Sequence, residues 1–204
     1  QNKQEVVCTY KFHDLSEGSA VLDLERSRMS KTPPFPWLTD DSIDWGSWCH
    51  VSEPQYKSTN RLIDFLVDVV SKNGCVLLNI TPRSNGEIPE PVKERLLEIG
   101  EWLKINGEAI YGTRPWKIYG EGPTNVVEGH LSERKNPDNT AKDIRFTQKG
   151  NVIYAFILDW PNGDVNIRSL GKEAALLNQK IQKIELLGIN ELLKWNQTDE
   201  ALVV

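Results

Sequence analysis

The stretch Val21-Leu22-Asp23-Leu24-Glu25-Arg26 sets two carboxylates two residues apart, with a guanidinium beside the second. A carboxyl group held in a cleft can give or take a proton during a reaction, and a nearby cation favours its ionised form. On these residues alone, the plainer reading is a surface carboxylate at Glu25 paired with Arg26 or Arg28. Residues 37–48 place Thr39, Asp40 and Ser42 between Trp37 and Trp48. Aromatic rings can stack on the flat faces of ligands, but most tryptophans simply fill cores. His13, His50 and His130 are too scattered to suggest a metal cluster. Cys8, Cys49 and Cys75 make no CxxC pair and are odd in number. Neither a disulfide framework nor a zinc site is expected, and the thiols are expected to be buried.

The chain has 204 residues and a formal charge of −5, with no basic block. That balance argues against nucleic acid or an anionic membrane as partner. No apolar run reaches membrane-spanning length. No GxSxG, P-loop, GxGxxG, HExxH or EF-hand pattern is present.

The elements that would position these residues fall into two patterns. Residues 6–10 read as a strand. Residues 11–48 are Pro-rich, lack clear periodicity and read as a long functional loop. Residues 56–72 form an amphipathic helix whose apolar face carries Leu62, Phe65, Leu66 and Val69. Cys75 to Ile80 is a short apolar strand of the kind a parallel sheet buries. Pro89 and Pro91 open a helix with Val92, Leu96, Ile99 and Leu103 on one face, and Asn106-Gly107 stops it. Its Lys and Glu residues between 93 and 104 make a solvated face. Beyond residues 112–120, taken as the domain boundary, short strands are predicted at 143–146, 151–158, 165–169, 181–187 and 192–196. Residues 135–140 are a polar loop, and 170–180 fit either a short helix or a loop. The class is α/β followed by all-β, with an antiparallel sandwich as the second part.

Residues 74–116 also carry a resemblance. They are similar to the end of the catalytic domain in α-L-fucosidases of glycoside hydrolase family 29. That family's pattern is close to G-x-L-L-L-N-I-G-P, then D-G-x-I, then E-R-L-L-x-I-G-x-W-L-x-x-N-G-E-A-I-Y-G-T-R-P-W. The matches include Gly74, Leu77, Leu78, Asn79, Ile80, Pro82, Gly86, Ile88, residues 94–97, Ile99, Gly100, Trp102, Leu103 and residues 106–116. Thr81 stands where the family usually has Gly, and Asn85 where Asp is common. The resemblance implies that residues 1–111 are the C-terminal portion of a TIM-like (β/α) barrel and 112–204 a β-sandwich domain. It further implies that the chain begins inside the barrel and ends inside a final strand. An incomplete barrel would leave open strand edges at 6–10 and 75–80, which invites aggregation.

The implied chemistry is retaining hydrolysis of terminal α-L-fucose from a fucosylated glycan or glycoconjugate, with no cofactor or metal. Such a reaction uses two carboxylates about 5–5.5 Å apart. The family's nucleophilic Asp belongs to an earlier strand, and no residue here is matched to it. For the acid/base, residues 21–26 resemble a subgroup pattern close to V-L-D-I-E-R-G, which falls on Glu25. Asp23 is the reserve, and Ser27 replaces the usual Gly. In other members the acid/base Glu follows the Trp matching Trp37, and here that position is Leu38. Trp37, Thr39, Asp40, Ser42 and Trp48 resemble a loop pattern over the sugar, P-W-x-T-D-T-S-I-x-x-x-S-W-x-Y. The implied substrate-binding set is His13, Arg26, Trp37, Asp40, Trp48 and Asn79. Such enzymes act in the periplasm, outside cells or in lysosomes, and a homo-oligomer is compatible with the family. A non-catalytic remnant or a carbohydrate-binding module is the competing expectation, favoured by Leu38.

Overall fold

A computed structural model describes residues 6–11, 14–16 and 18–204. His13 lies outside the described residues. Two compact units emerge from the chain's internal contacts. One comprises Gln1–Ile99 with Asn125–Pro137, the other Gly100–Thr124 with Asp138–Val204. Compared with a split at residue 111/112, residues 100–111 fall with the second unit and 125–137 with the first.

The first unit holds a parallel sheet in the order β1 (Thr9–Tyr10), β2 (Val21–Asp23), β3 (Trp37–Ser42) and β4 (Gly74–Asn79). Helix α1 (Thr59–Ser71) connects β3 to β4, and α2 (Glu90–Asn106) follows β4. Ser58 caps α1 by accepting the Arg61 N–H at 3.2 Å, which satisfies an otherwise unpaired donor of the first turn. The expected loop over residues 11–48 is therefore corrected, because it contains the whole of β2 and β3. β2 has only three residues, and β3 alternates Trp37, Thr39 and Asp41 on its buried side. Polar residues at two of those three positions erase the apolar alternation by which a strand is recognised.

On the helix-facing side of the sheet, Leu24, Met29, Trp37 and Val69 form a core with Leu22, Phe35, Phe65 and Val76. Gly74 is required there, since a Cβ would lie 2.6 Å from the Trp37 ring. Ile43, Leu62 and Val92 form a second cluster with Leu78, Leu96 and Ile99. In the β3–β4 register Leu38 pairs with Cys75 and Asp40 with Leu77. These side chains point to the face opposite Trp37, because successive strand residues alternate sides. Leu77 is 59% exposed there. The thiols differ from expectation in the same way: Cys8, Cys49 and Cys75 are all free and exposed. Cys75 sits on that outward face, and the other two precede a strand or occupy a loop.

The second unit has two antiparallel sheets. One runs β5 (Arg114–Glu121), β6 (Ile144–Lys149), β7 (Val152–Ile157); the other runs β8 (Asn166–Ile167), β10 (Leu202–Val203), β9 (Asn196–Gln197). Trp116, Ile144, Phe146, Ile167, Leu170 and Leu202 form its core, with Trp116 edge-on to Phe146 at 5.1 Å. β5 occupies the stretch read as a boundary; Pro115 and Gly120 flank a shift in its register. No strand forms at 181–187, and 192–196 contributes only Asn196 to β9. Ile181 and Ile184 pack on the core without a ladder partner, so apolar spacing there reports burial and not sheet pairing.

Candidate active site

Parallel strands place functional residues at and beyond their C-terminal ends. Lys11 follows β1, Asp23 ends β2, Glu25 lies two residues further, and Asp40 lies within β3. The Lys11 ammonium joins them. Its Nζ donates to Glu25 at 3.0 Å and to both oxygens of Asp40 at 2.8 Å, and lies 3.5 Å from Asp23. Three carboxylates thus surround one cation on the outward face of the sheet. Burial pushes the Asp23 carboxyl up, and the Asp40 charge and hydrogen bond add to this, while Lys11 works against it. Burial disfavours the Lys11 charge, but its bonds to Asp40 and Glu25 and the Asp23 charge prevail and hold it raised. The Glu25 side chain is 24% exposed against 7% for Asp23.

After Leu24 the chain bends. Leu24 and Arg26 donate backbone N–H groups to Leu38 and Asp40 at 2.9 and 2.8 Å, so the pairing of β2 with β3 continues through the bend. Arg26 has φ of 46°, a left-handed conformation unusual for a non-glycine residue. Adjacent Glu25 and Arg26 accordingly enter different surroundings. The Arg26 guanidinium is buried, donates to Glu133 Oε1 at 2.6 Å, and donates to the carbonyls of Asp44, Trp45 and Ser47. Glu133 and Asp41 meet at Lys57, whose Nζ reaches both Asp41 oxygens at 2.6 Å and also donates to Glu133. Burial pushes Asp41 up to about 7; Lys57 opposes this, and the hydrogen bond and charge of Glu133 reinforce it. Glu133 moves the other way. Burial alone would raise it, but hydrogen bonds from Asp41, Lys57 and Arg26 hold it low.

The resemblance-derived set divides accordingly. Glu25, Asp23 and Asp40 gather around Lys11. Arg26 does not join them; it braces the loop carrying Trp48, with its guanidinium 4.4 Å from that ring's centroid. Asn79 donates to Trp48 O at 2.8 Å and to Ser42 Oγ at 3.1 Å, and so holds the same loop. Trp37 is 1% exposed, donates its indole N–H to Lys72 O, and has no ring face open to a ligand. It anchors the core on the opposite side of the sheet from Asp23 and Asp40. Lys11, Asp41, Lys57, His130 and Glu133 were missed. Each is a lone polar residue in a loop or beside another charge, with no periodicity to mark it.

Carboxylates collected at and near the C-terminal ends of parallel strands, beside loops carrying aromatic residues, make this cluster the candidate catalytic site. An α-L-fucosidase model matches residues 1–108, and an α-L-fucosidase C-terminal domain model matches 136–204. The chain belongs to the α-L-fucosidase family. It is 33% identical over 185 residues to the tissue α-L-fucosidase of Homo sapiens, covering 88% of this chain and 35% of that protein. It is 33% identical over 177 residues to the tissue α-L-fucosidase of Rattus norvegicus, covering 85% of this chain and 33% of that protein. The Thermotoga maritima α-fucosidase in complex with fucose superposes with a TM-score of 0.68 at 29% identity, over 90% of this chain and 37% of that chain. The chain therefore spans about a third of the length of the curated relatives it matches.

Proposed function

We propose that this chain is part of a retaining α-L-fucosidase acting on terminal α-L-fucose of glycans or glycoconjugates, with Glu25 as general acid/base. The observation that carries the reading is the gathering of Glu25, Asp23 and Asp40 on Lys11 at the strand ends of a chain from this family. A nucleophilic carboxylate, not assigned to any residue here, attacks the anomeric carbon while the acid protonates the departing oxygen. The same acid, now a base, deprotonates the water that cleaves the fucosyl-enzyme bond. Asp23 is the reserve candidate. Its raised affinity for a proton is the property a general acid needs, while Glu25 is the more accessible of the two. Lys11 is shared among the carboxylates and favours charge on whichever is not protonated. In this reading Asp40 bonds sugar hydroxyls and Trp48 contacts the fucose, while Arg26 and Asn79 act through the Trp48 loop.

The fold reading is the closing part of a (β/α) barrel in residues 1–111 followed by a β-sandwich domain in 112–204. The Thermotoga maritima relative was solved with fucose, which supports fucose as ligand here. Action outside the cytoplasm (periplasmic, extracellular or lysosomal) fits relatives named as tissue and plasma enzymes. Among the described residues no helix is long and apolar enough to cross a membrane. A second reading, a non-catalytic carbohydrate-binding remnant, is favoured by Leu38, which lies on the same outward face as Asp23 and Asp40.

Release of 4-nitrophenol from 4-nitrophenyl α-L-fucoside by the complete polypeptide carrying this chain tests both. Glu25→Gln is expected to lower kcat/KM by at least ~10²-fold, the size of a general acid/base contribution. Loss with Asp23→Asn and not with Glu25→Gln would move the role to Asp23. An inactive wild-type polypeptide that still binds fucose would favour the binding reading.

A further inference from the structure

Residues 125–137 belong to the first unit although the sequence on both sides belongs to the second. The tip of this segment lies along Glu25, Arg26 and Ser27. The Glu25 backbone N–H donates to His130 Nδ1 at 3.2 Å, and the Leu131 N–H donates to Glu25 O at 2.9 Å. Both backbone groups of the candidate acid/base are thus held by residues more than a hundred positions away. The Glu133 N–H donates to Arg26 O at 3.0 Å, while the Glu133 carboxylate takes the Arg26 guanidinium. Ser27 Oγ lies 2.7 Å from Ser132 Oγ. Ser132 donates its own proton to Val127 O, so Ser27 is the donor in that pair.

The segment is itself braced. Asn136 accepts from the Val127 N–H and donates to the carbonyls of Val127 and Ser132. At its base, Asp143 accepts backbone and hydroxyl bonds from Thr124 on one side and Thr140 on the other. Burial works to raise the Asp143 carboxyl, but those four bonds hold it below the usual range. Arg26 at φ 46° needs such support, because a non-glycine residue persists in that region only where its surroundings over-determine it.

We propose that His130 and Glu133 are positioning residues for the acid/base, fixing the backbone at Glu25 so that its carboxyl meets the leaving-group oxygen. This rests on the reading of Glu25 as that acid/base. An Nδ1 that accepts leaves the ring proton on Nε2, so His130 acts as an acceptor toward Glu25 and not as its proton source. Small displacements of a catalytic group are costly, since proton transfer requires hydrogen-bond reach in the reacting complex.

The test compares kcat/KM for two aryl α-L-fucosides in the complete polypeptide. Phenyl α-L-fucoside has a poor leaving group and needs protonation; 2-chloro-4-nitrophenyl α-L-fucoside has a good one and needs little. Misplacing the acid penalises the first substrate selectively, whereas general loss of structure lowers both alike. His130→Ala and Glu133→Gln are each expected to lower kcat/KM for the phenyl substrate roughly 10-fold or more beyond any loss on the other, a fraction of the ~10²–10⁴-fold worth of an acid/base. His130→Asn keeps an acceptor near the place of Nδ1 and is expected to recover most of that selective loss. Glu25→Gln is the internal reference. If it shows the selective loss and His130→Ala does not, the positioning proposal is overturned while the acid/base reading stands. If Glu25→Gln itself lowers both substrates equally or neither, the acid/base reading fails and the positioning role falls with it. Equal loss on both substrates for the His130 and Glu133 variants assigns them to stability alone and also overturns the proposal.

Discussion

Asp40 and Asp41 are neighbours on β3, yet each lies in a different charge cluster. Asp40 turns outward to Lys11 with Asp23 and Glu25, while Asp41 turns inward to Lys57 with Glu133 and Arg26. Strand alternation separates them, and Glu25 and Arg26 are parted in the same way by the bend that follows β2. The outward cluster has three carboxylates for one lysine and is reached by solvent, with Lys11 at 29% side-chain exposure. The inward cluster sets two carboxylates against two cations, all 8% exposed or less. Excess like charge beside solvent leaves protons and ligands free to exchange, which suits chemistry. Matched charges away from solvent hold loops and segments in place.

Stability separates the two clusters most sharply. Lys57→Met leaves Asp41 and Glu133 facing each other in the interior and is expected to destabilise the protein by ~3–5 kcal/mol. Lys11→Met removes a solvent-reached partner and is expected to cost less than ~1 kcal/mol. Urea unfolding midpoints of the two variants measure the difference, and equal losses would erase the distinction between clusters.

The inward cluster also has a pH signature. Asp41 is raised to about 7 from 3.8, so the folded protein binds this proton more tightly than the unfolded chain. Its contribution is complete below the ordinary aspartate range and is lost as pH rises through about 7. Glu133 acts oppositely, and its contribution is lost as pH falls through its lowered value below 4.5. The urea midpoint is therefore expected to fall between pH 5 and pH 8, since Asp41 titrates there and Glu133 does not. Asp41→Asn is expected to flatten that slope. A midpoint that rises across the interval, or an unchanged slope in the variant, would contradict the assignment of the proton to Asp41.

The smallest expected effects concern two positions where the resembled pattern has glycine. Ser27 is buried and bonded to Ser132 beside the inward cluster. Thr81 is buried at φ 41°, and its hydroxyl finds no hydrogen-bond partner among the described residues. Restoring glycine should act with opposite sign at the two sites. Ser27→Gly loses a buried hydrogen bond and is expected to cost about 1 kcal/mol. Thr81→Gly relieves a strained β-branched residue and an unsatisfied hydroxyl, and is expected to stabilise by about 1 kcal/mol. Thermal melts of the pair decide the signs.

Local pattern alone located β4, α1 and α2 to within a few residues. Their signals, an apolar run, a 3.6-residue repeat, Pro89 and Pro91 at a helix start and the stop at Asn106-Gly107, are written over short stretches of chain. The same was true of the family, whose pattern over residues 74–116 is contiguous. β2 and β3 escaped because Thr39 and Asp41 point inward where apolar residues are expected, and they do so because distant partners satisfy them. Thr39 donates to the carbonyls of Leu24 and Ser27, and Asp41 is met by Lys57. Glu25 and Asp40 were legible as candidates, but their common partner Lys11 was not. Nor was the hold of His130 and Glu133 on Glu25 and Arg26, across separations of 105 and 107 residues. The sequence by itself determined the helices, the central strand and the kinship, since those depend on neighbours along the chain. Only the tertiary structure decided which charges meet, because a burial-dependent ion pair or backbone bond depends on distance in space and leaves no period in the sequence.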